Sequence, residues 1–449
     1  MGHRFLGADP GNAVEGITVT TVASVQAADR ERSRVRVDEP PARGQGAARP
    51  GGPWKYGPAV PRSRPLVALV LVAALVVAAC SGDDGGSSEG SGGTDAVTTT
   101  AVALPEGPAP DEPGEYGVGR STVTLVDESR DGRSLTVDAW YPIDPEAAAD
   151  AEPSTYAFIP GVQFETERAR DGVPVATDGP FPLVVFSHGS GGIRFQSTFL
   201  TEILASQGYV VLAPDHTGNT AYDRFLGTDA PPEENAVNRP TDVSFVIDQL
   251  VDEVSSPLAD LGEQVDPERI GVVGHSAGGY TALAVAGGVR GAPADERVDA
   301  VVGLAAAAEG MSEETLVAVD VPTLLVSGTS DVTTTIEEHT EPAWEGVTGG
   351  PVVRVDITDA GHQSFADVCV YRDLIPTLDD PPAALVEAIE DFAVEGCAPE
   401  LLDIDRAQEI TDIFTIGFLD EFVAGDPEAG AYLIEAYAET IPEIAFQRR

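Results

Sequence analysis

Residues 271–279 read GVVGHSAGG, and they place Ser276 between Gly274 and Gly278, directly after an apolar run. In such a pattern a strand ends, the chain turns sharply and a helix begins, so that the serine hydroxyl projects from the turn. The two glycines let the strand and the helix approach each other without an intervening Cβ atom. The stretch therefore predicts a nucleophile elbow at Ser276.

The same G-x-S-x-G spacing also occurs around Ser88, at residues 86–90. That second match lies in a tract of glycine, serine and aspartate, and no apolar strand precedes it. It therefore lacks the strand, turn and helix on which the motif depends. We expect Ser276, and not Ser88, to be the nucleophile.

Strands and helices are predicted to alternate through residues 115–449. Residues 121–126 and 135–141 alternate between apolar and polar side chains around an Asp131-Gly132 turn, which indicates an antiparallel hairpin. Short apolar strands separated by helical patterns predict a mostly parallel sheet with helices on both faces, and active sites at the carboxyl ends of its strands. The strands are predicted at 181–186, 209–213, 269–273, 300–304, 323–326 and 352–357, and the helices at 196–207, 241–254 (capped by Thr241), 280–286, 384–394 and 407–424.

Three further segments, in this order along the chain, carry a resemblance to a known fold. They read FSHGSGG at 186–192, GHSAGG at 274–279 and GHQSFAD at 361–367. The body resembles an α/β-hydrolase, and within that fold it resembles the platelet-activating factor acetylhydrolases and the dienelactone hydrolase-like esterases, with bacterial cutinase-like polyester hydrolases as relatives. The resemblance implies an α/β-hydrolase fold over residues 115–449 and hydrolysis of carboxylic esters through an acyl-enzyme.

A serine hydroxyl becomes a good nucleophile only when a base removes its proton, and the base is most often a histidine. The chain has six histidines. His362 follows the last predicted strand by five residues, and the likeness of its loop to that of the platelet-activating factor acetylhydrolases implies that it is the base. His339 is the main alternative. Of the others, His3 lies outside the body, His188 and His275 are interpreted as structural, and His216 is a candidate for the substrate pocket.

The third member of a serine triad orients the histidine and stabilises its positive charge. Asp331 lies between Ser276 and His362 in the chain and follows a strand, at the position where dienelactone hydrolase-like enzymes carry the acid. In the platelet-activating factor acetylhydrolases the acid follows the preceding strand instead. Here the segment after that strand reads GLAAAAEG, at 303–310, and its one acidic residue is Glu309. We predict Asp331, with Glu309 as the alternative.

The oxyanion of an ester-cleaving intermediate needs two preorganised N–H donors. One is expected from Ala277, at the start of the helix after the nucleophile, and the other from Ser190 by likeness to the H-G-x motif of the family. Residues 216–240 read as a long polar loop, and such loops are often lids or binding loops. Tyr222 and Phe225 are therefore candidates for the substrate pocket, with packed loop anchors as the alternative.

The charge of the chain limits its partners. It carries 26 basic and 74 acidic residues, a formal net charge of −48, and the acidic excess lies after residue 64. Such a body repels nucleic acid and anionic membrane surfaces and disfavours polyanionic substrates.

The sequence has no metal-ligand spacing, phosphate loop or dinucleotide fingerprint, so we expect no metal and no other cofactor.

The segment LVALVLVAALVVAA at 66–79 follows Arg62 and Arg64. It is shorter than the roughly 20 residues of a membrane span, and its basic flank and small terminal residues are typical of a signal peptide. Residues 77–80, VAAC, resemble the lipobox of bacterial lipoproteins. The resemblance implies lipidation of Cys80 and an exported protein anchored by lipid on the outer face of the bacterial cell membrane.

The chain divides into four predicted segments. Residues 1–64 are interpreted as a mis-called extension plus the basic flank of the signal, with translation starting near Val60. Residues 65–80 form the signal peptide, and the Gly-, Ser- and Pro-rich residues 81–114 form a flexible linker, since they cannot bury a core. Residues 115–449 form the catalytic domain, which is expected to be monomeric.

With Cys80 assigned to lipid, Cys369 and Cys397 remain as an even pair in an exported chain. Such a pair predicts a disulfide.

Two alternative functions remain open for the same site residues. The triad could act on amide bonds instead of esters, or the fold could serve as a non-catalytic binding module, against which the full set of site residues argues.

Overall fold

The computed structural model describes residues 104–105, 107–159, 162–252, 256–378 and 381–449. All of them belong to one structural unit, Thr94–Arg449. The predictions for the lipobox and Cys80, for the decoy motif at Ser88 and for the residues before them lie outside the described residues.

Eleven strands among the described residues form one sheet. They are β1 Gly117–Asp127, β2 Arg133–Ile143, β3 Pro153–Ile159, β4 Val162–Asp171, β5 Phe181–Ser187, β6 Val210–Pro214, β7 Val265–His275, β8 Ala300–Leu304, β9 Thr323–Gly328, β10 Val352–Ile357 and β11 Ile444–Arg448. Their order across the sheet is β11-β10-β9-β8-β7-β5-β6-β2-β1-β4-β3. The run from β10 to β6 is parallel throughout, which confirms the predicted mostly parallel sheet.

The predicted N-terminal hairpin is present and is longer than predicted. β1 and β2 pair antiparallel from Gly117 opposite Ile143 to Asp127 opposite Arg133. The turn residues Asp131 (φ 56°) and Gly132 (φ 73°) both have left-handed backbone conformations, which aspartate and glycine tolerate best.

Helices pack on both faces of the sheet. In chain order they are α1 Pro145–Asp150, α2 Thr198–Ser206, α3 Ala221–Leu226, α4 Pro232–Val251, α5 Ala259–Gly262, α6 Ala277–Gly287, α7 Glu313–Ala318, α8 Glu341–Gly346, α9 Val368–Leu374, α10 Ala383–Cys397, α11 Ile404–Leu419 and α12 Glu435–Ala438. Short 3-10 turns lie at Glu128–Arg130, His362–Phe365, Ile375–Thr377 and Ala429–Leu433, and π-helical turns lie at Ile336–Thr340 and Asp420–Ala424.

Side chains that alternate along the central strands pack into two separate apolar cores, one on each face of the sheet. Along β5, Val184 and Phe186 pack in a cluster that includes buried residues of α2 and α11. Leu183 and Val185 point to the opposite face and pack in a cluster that includes α4, α6 and α7. Burial on both faces explains why β5 reads as a continuous apolar run, as strands of covered parallel sheets do.

The segment 216–240 differs from its prediction as a long loop. It contains α3 and the first part of α4, which begins at Pro232 and continues through Pro240 to Val251. Thr241 therefore lies inside a helix and does not cap one. Pro240 cannot donate to the carbonyl group of Ala236, four residues earlier, and that carbonyl accepts the Tyr280 hydroxyl at 3.4 Å instead.

Three strands have no counterpart in the prediction. β3 and β4 form an antiparallel hairpin at one edge of the sheet, and β11 pairs with β10 at the other. β4 reads VQFETERARD and most of its side chains are exposed or half-buried. β4 lies next to the edge strand β3 and buries few side chains, so it lacks the apolar signal that marks the central strands.

The predicted linker is bound to the body at its described end. The side-chain amide of Gln207 donates hydrogen bonds to the carbonyl oxygens of Ala109, Pro110 and Glu112 at 3.0, 3.2 and 2.9 Å. The backbone N–H of Gly114 also donates to Ser206 Oγ at 2.9 Å. Residues 109–114 therefore belong with the domain, which begins earlier than residue 115.

Candidate active site

The site residues follow four strands whose carboxyl ends lie at one edge of the sheet. β5, β7, β9 and β10 are parallel, so the segments that leave them emerge on the same side. The glycine-rich turn 188–192 follows β5, and Ser276 follows β7. Asp331 follows β9, and His362 follows β10. The fold thus gathers segments that are far apart in the sequence.

Ser276 lies in a strained turn between β7 and α6. Its backbone has φ 57° and ψ −115°, which is unfavourable for a residue with a Cβ atom. Its N–H donates to the Leu304 carbonyl oxygen at 2.9 Å, and its side chain is partly exposed. A Cβ atom on Gly274 would overlap the backbone of Gly278, and one on Gly278 would overlap the carbonyl group of Ser187. Both glycines of the motif are therefore required by close approach of the backbone.

Ser276, His362 and Asp331 form a chain of hydrogen bonds. Ser276 Oγ lies 3.0 Å from His362 Nε2, and His362 Nδ1 lies 2.8 Å from Asp331 Oδ2. When Nδ1 carries the proton and donates it to the carboxylate, Nε2 is free to accept the hydroxyl proton of the serine. The structure thus brings together the three residues to which the sequence assigns the roles of nucleophile, base and acid.

The Asp331 carboxylate is held by further donors that were not predicted from the sequence. Its Oδ1 accepts the backbone N–H groups of Thr333 and Thr334 at 2.8 and 2.6 Å, and its Oδ2 accepts the Thr334 hydroxyl at 2.7 Å. Burial raises the pKa of Asp331, but the hydrogen bonds from His362 and Thr334 outweigh it and lower the pKa to about 2. The sequence DVTT at 331–334 carries a signal for these contacts, because aspartate commonly accepts the N–H groups two and three residues ahead.

Two backbone N–H groups in the segments that adjoin Ser276 have no hydrogen-bond partner within the described part of the chain. Ala277 opens α6, so its N–H has no acceptor inside the helix. The second belongs to Ser190 in the turn after β5. The N–H of the preceding Gly189 is occupied, because it donates to Gln196 Oε1 at 2.9 Å. A Cβ atom on Gly189 would lie 3.5 Å from Ser276 Cβ, so this turn runs alongside the serine.

A second serine–histidine–aspartate arrangement lies behind that turn. Ser187 Oγ is 2.9 Å from His216 Nε2, and His216 Nδ1 is 3.0 Å from Asp242 Oδ2. All three residues are 0% exposed, so no substrate can reach them. The prediction that His216 lines the substrate pocket is therefore wrong, because both nitrogens of its ring contact buried partners, Ser187 and Asp242.

The charges around Asp242 stabilise this buried arrangement. Its carboxylate accepts Arg130 Nη1 and Arg133 Nη2 at 2.7 Å each. Burial raises the pKa of Asp242, but the hydrogen bonds from Arg133 and His216 outweigh it and hold the pKa well below its usual range. Burial and the nearby Arg239 lower the pKa of His216 to about 4, so the ring is neutral at neutral pH.

Arg239 of α4 ties the turn after β5 to α6. Its guanidinium donates to Thr281 Oγ1 at 3.0 Å, to Asn219 Oδ1 at 2.6 Å and to Ser187 Oγ at 3.2 Å, and it also contacts the carbonyl oxygen of His188. Its burial lowers its pKa to about 9. Arg239 was not among the predicted site residues, because it lies in the segment 216–240 that is predicted to be a loop.

His188 and His275 are buried and occupied by structural hydrogen bonds, which agrees with the structural role predicted for them. His188 Nδ1 donates to the carbonyl oxygen of Gly189 at 2.6 Å. His275 Nδ1 accepts the Gln196 amide at 2.9 Å, and its Nε2 donates to the carbonyl oxygen of His362 at 2.8 Å. His275 therefore supports the backbone of the histidine that contacts Ser276.

The two alternative site residues contact each other and not the triad. The backbone N–H of Glu309 donates to His339 Nδ1 at 3.0 Å. The side chain of Glu309 is exposed, whereas His339 is buried, and this burial lowers its pKa. The carboxylate that hydrogen-bonds His362 Nδ1 is that of Asp331, so the geometry favours Asp331 over Glu309.

The two aromatic candidates for the substrate pocket both lie on α3, but Tyr222 is packed against the protein and Phe225 is exposed. Tyr222 packs against the apolar core, and its hydroxyl lies 3.5 Å from the carbonyl oxygen of Ala157, so it is a packed anchor. Phe225 is 65% exposed and the adjacent Leu226 is 70% exposed. Phe225 remains a candidate for substrate contact.

The predicted disulfide is present. Cys369 of α9 is bonded to Cys397 at the end of α10, with an S–S distance of 2.05 Å. A Cβ atom on Gly361 would overlap the carbonyl group of Glu395 in α10. The disulfide therefore fastens α10 against the segment that carries His362.

Comparisons with known proteins agree on the kind of enzyme. Residues 172–370, which include the triad, match the family model described as PETase, PET hydrolase-like. A stretch of 62 residues is 36% identical to platelet-activating factor acetylhydrolase of Cavia porcellus, and it covers 14% of each chain. The solved structure of a ferulic acid esterase from Streptomyces cinnamoneus is similar with a TM-score of 0.52 and 27% identity, over 77% of this chain and 98% of that one.

All three names belong to enzymes that hydrolyse carboxylic esters. Together with the strand order and the elbow after β7, these likenesses show an α/β-hydrolase fold. The expected resemblance to esterases of this fold is thereby confirmed.

Proposed function

We propose that this α/β-hydrolase is a serine esterase that cleaves carboxylic esters through an acyl-enzyme on Ser276. The observation that carries the proposal is the hydrogen-bonded chain Ser276–His362–Asp331, with Ser276 partly exposed and two unpartnered N–H groups in the adjoining segments. A nucleophile within reach of a base, a base within reach of an orienting acid, and donors for the oxyanion are the parts that acyl transfer needs.

The acylation half of the reaction follows from this geometry. His362 Nε2 takes the hydroxyl proton while Ser276 Oγ bonds to the ester carbonyl carbon. The carbonyl oxygen becomes negative and is stabilised by the N–H groups of Ala277 and Ser190. The bond to the alcohol oxygen then breaks, and the leaving alkoxide receives the proton from His362. Asp331 stabilises the imidazolium throughout without taking its proton.

Deacylation repeats the same steps with water. His362 removes a proton from a water molecule, and the resulting hydroxide attacks the acyl carbon of the ester on Ser276. The second tetrahedral intermediate uses the same two N–H donors. When it collapses, Ser276 Oγ leaves with the proton from His362 and the carboxylic acid is released. Ser276, His362 and Asp331 therefore serve both halves of the cycle.

The substrate class is proposed from the relatives and from the open position of Ser276. Their names refer to a polyester, to platelet-activating factor and to ferulic acid. We propose small-molecule, lipid or polyester esters as substrates.

Ester turnover should far exceed amide turnover. The amidase alternative uses the same triad but must expel an amine, which is a poorer leaving group than an alkoxide. We expect kcat/KM for 4-nitrophenyl butyrate to exceed that for butyryl 4-nitroanilide by a factor on the order of 10³, equivalent to about 4 kcal/mol. Release of 4-nitrophenol and 4-nitroaniline measures both. Equal or faster turnover of the anilide would favour the amidase.

We also propose that the enzyme is exported and lipid-anchored through Cys80. The support is the VAAC sequence after the apolar run at 66–79. Within the described ranges, no helix is long and apolar enough to cross a membrane.

Replacement of Cys80 by serine should release the enzyme from membranes. In an export-competent bacterial host, wild type should sediment with membranes and carry acyl chains on Cys80, because more than one acyl chain gives stable anchoring. The Cys80→Ser variant should be recovered soluble with unchanged kcat/KM, since the linker separates the anchor from the domain. Ser88→Ala is the matched control and should remain in the membrane fraction. Recovery of the wild type as a soluble, unlipidated protein would contradict the proposal.

A further inference from the structure

Arg224 of α3 lies directly against the turn that carries Ser190. Its Nη2 is 3.3 Å from Ser190 Oγ. The guanidinium occupies the space beside Gly191, because a Cβ atom there would lie 2.7 Å from the guanidinium carbon. A guanidinium group therefore rests on the backbone next to one of the two proposed oxyanion donors.

This positive charge is only weakly neutralised. Within the described part of the chain, the one carboxylate within 4 Å is that of Asp229, whose Oδ1 lies 3.9 Å from Arg224 Nε. That distance is too long for a hydrogen bond. The Asp215 carboxylate is already paired with Arg194 at 2.7 Å. The Arg224 side chain is 51% exposed, so a ligand from solvent can reach it.

The helix that presents Arg224 is fixed at both ends. Thr220 and Asp223 form a reciprocal capping box at its start, and Gly227 ends it in a left-handed conformation. The Asp223 carboxylate also accepts the N–H of Gly218 at 2.8 Å and the hydroxyl of Thr228 at 2.9 Å. Asp223 therefore makes its hydrogen bonds within the loop, and among the described residues it forms no ion pair within 4 Å with its neighbour Arg224.

We infer that Arg224 binds a carboxylate of the ester substrate, so that the enzyme prefers esters whose acyl part ends in a free carboxylate. The inference rests on the proposed function. The scissile carbonyl oxygen would be held at Ser190 N–H, and Arg224 contacts the side chain of that same residue. A carboxylate a few bonds from the scissile carbonyl can therefore reach the guanidinium, whose planar fork matches it. Half-esters of short dicarboxylic acids, such as partly hydrolysed polyester ends, meet this description.

The acidic body does not prevent such a contact. Distant surface charges are screened, with a Debye length of about 10 Å at 0.1 M ionic strength. A guanidinium within hydrogen-bonding reach of the ligand is screened much less. The net charge should therefore disfavour polyanions approaching from a distance, while a single carboxylate is recognised locally by Arg224.

The test compares two esters that differ in one charged group, 4-nitrophenyl butyrate and 4-nitrophenyl hemisuccinate, at 0.1 M salt. For Arg224→Gln we expect kcat/KM for the hemisuccinate to fall about 10- to 100-fold, while that for the butyrate stays within about threefold of wild type. Arg224→Lys should be intermediate for the hemisuccinate, because it keeps the charge but loses the planar fork.

Arg290→Gln is the matched control. It removes the same charge from an exposed arginine beyond the far end of α6, whose 11 residues span about 16 Å from Ser276. It should leave both substrates unchanged. Equal losses for both esters in Arg224→Gln, no loss for either, or the same selective loss in Arg290→Gln would overturn the inference.

Failure of the proposed function has a different signature, namely no turnover of 4-nitrophenyl butyrate by the wild type. In that case a binding measurement tests the proposed carboxylate contact of Arg224 independently of catalysis. Titration calorimetry with monoethyl succinate should give a Kd about tenfold or more weaker for Arg224→Gln than for wild type. An unchanged Kd would overturn the inference.

Discussion

Replacement of Ser276 by alanine should lower kcat for 4-nitrophenyl butyrate by a factor on the order of 10⁴–10⁶. The variant keeps the N–H groups of Ala277 and Ser190 and loses the atom that bonds to the acyl carbon. Residual catalysis then comes only from binding and oxyanion stabilisation, which supply little of the whole. Initial rates of 4-nitrophenol release measure the loss.

The control for this variant is Ser88→Ala, which removes the serine of the second G-x-S-x-G match and should retain wild-type kcat. Circular dichroism should first show that both variants are folded, because the turn at Ser276 is strained. A kcat within tenfold of wild type for a folded Ser276→Ala enzyme would mean that another group is the nucleophile.

Replacement of Asp331 by asparagine should lower kcat at neutral pH by a factor on the order of 10³–10⁴, because the amide favours the wrong histidine tautomer and provides no negative charge for the imidazolium. The hydrogen bonds that lower the pKa of Asp331 to about 2 keep the carboxylate ionised at neutral pH. The contribution of this carboxylate to folding stability is thus fully present at neutral pH, and it is lost progressively as the pH falls below the ordinary aspartate pKa of 3.8 and through about 2. Partial recovery of kcat is expected at high pH.

Glu309→Gln is the matched control, because the resemblance to the platelet-activating factor acetylhydrolases would place the acid after β8, where Glu309 lies. We expect its kcat to stay within about tenfold of wild type, because the contact of Glu309 is from its backbone to His339 and its side chain is exposed. If Glu309→Gln lost activity and Asp331→Asn kept it, the acid would come from the earlier strand exit and the assignment of Asp331 would be rejected.

The central strands and the site could be predicted because their residues carry strong local signals. β8 and β10 were predicted at their observed bounds, since strands buried on both faces read as uninterrupted apolar runs. Gly274 and Gly278 marked the elbow because only residues without a Cβ atom fit its close approach. The roles of His362 and Asp331 could then be predicted from the resemblance of the His362 loop to that of the platelet-activating factor acetylhydrolases, and from the position of Asp331 after a strand between Ser276 and His362.

The parts that could not be predicted depend on contacts distant in sequence. α4 continues through Pro240, which local rules interpret as the end of a helix, and its stability comes instead from tertiary contacts. Arg239 and Asp242, on either side of that proline, are buried against residues of β5 and the hairpin turn. Isolated charged residues in a polar stretch give no sign of such partners, and this is why His216 was misjudged.

A fluorophosphonate probe followed by peptide mapping tests the central claim most directly, because it labels a serine only where a working base and oxyanion site activate it. The sequence and the structure provide three serines in motif or triad settings, Ser276, the buried Ser187 and Ser88 of the second motif. The account predicts one adduct per chain, on Ser276, and none in Ser276→Ala. An adduct on Ser187 or Ser88, retained labelling of Ser276→Ala, or no labelling of the folded wild type would contradict it.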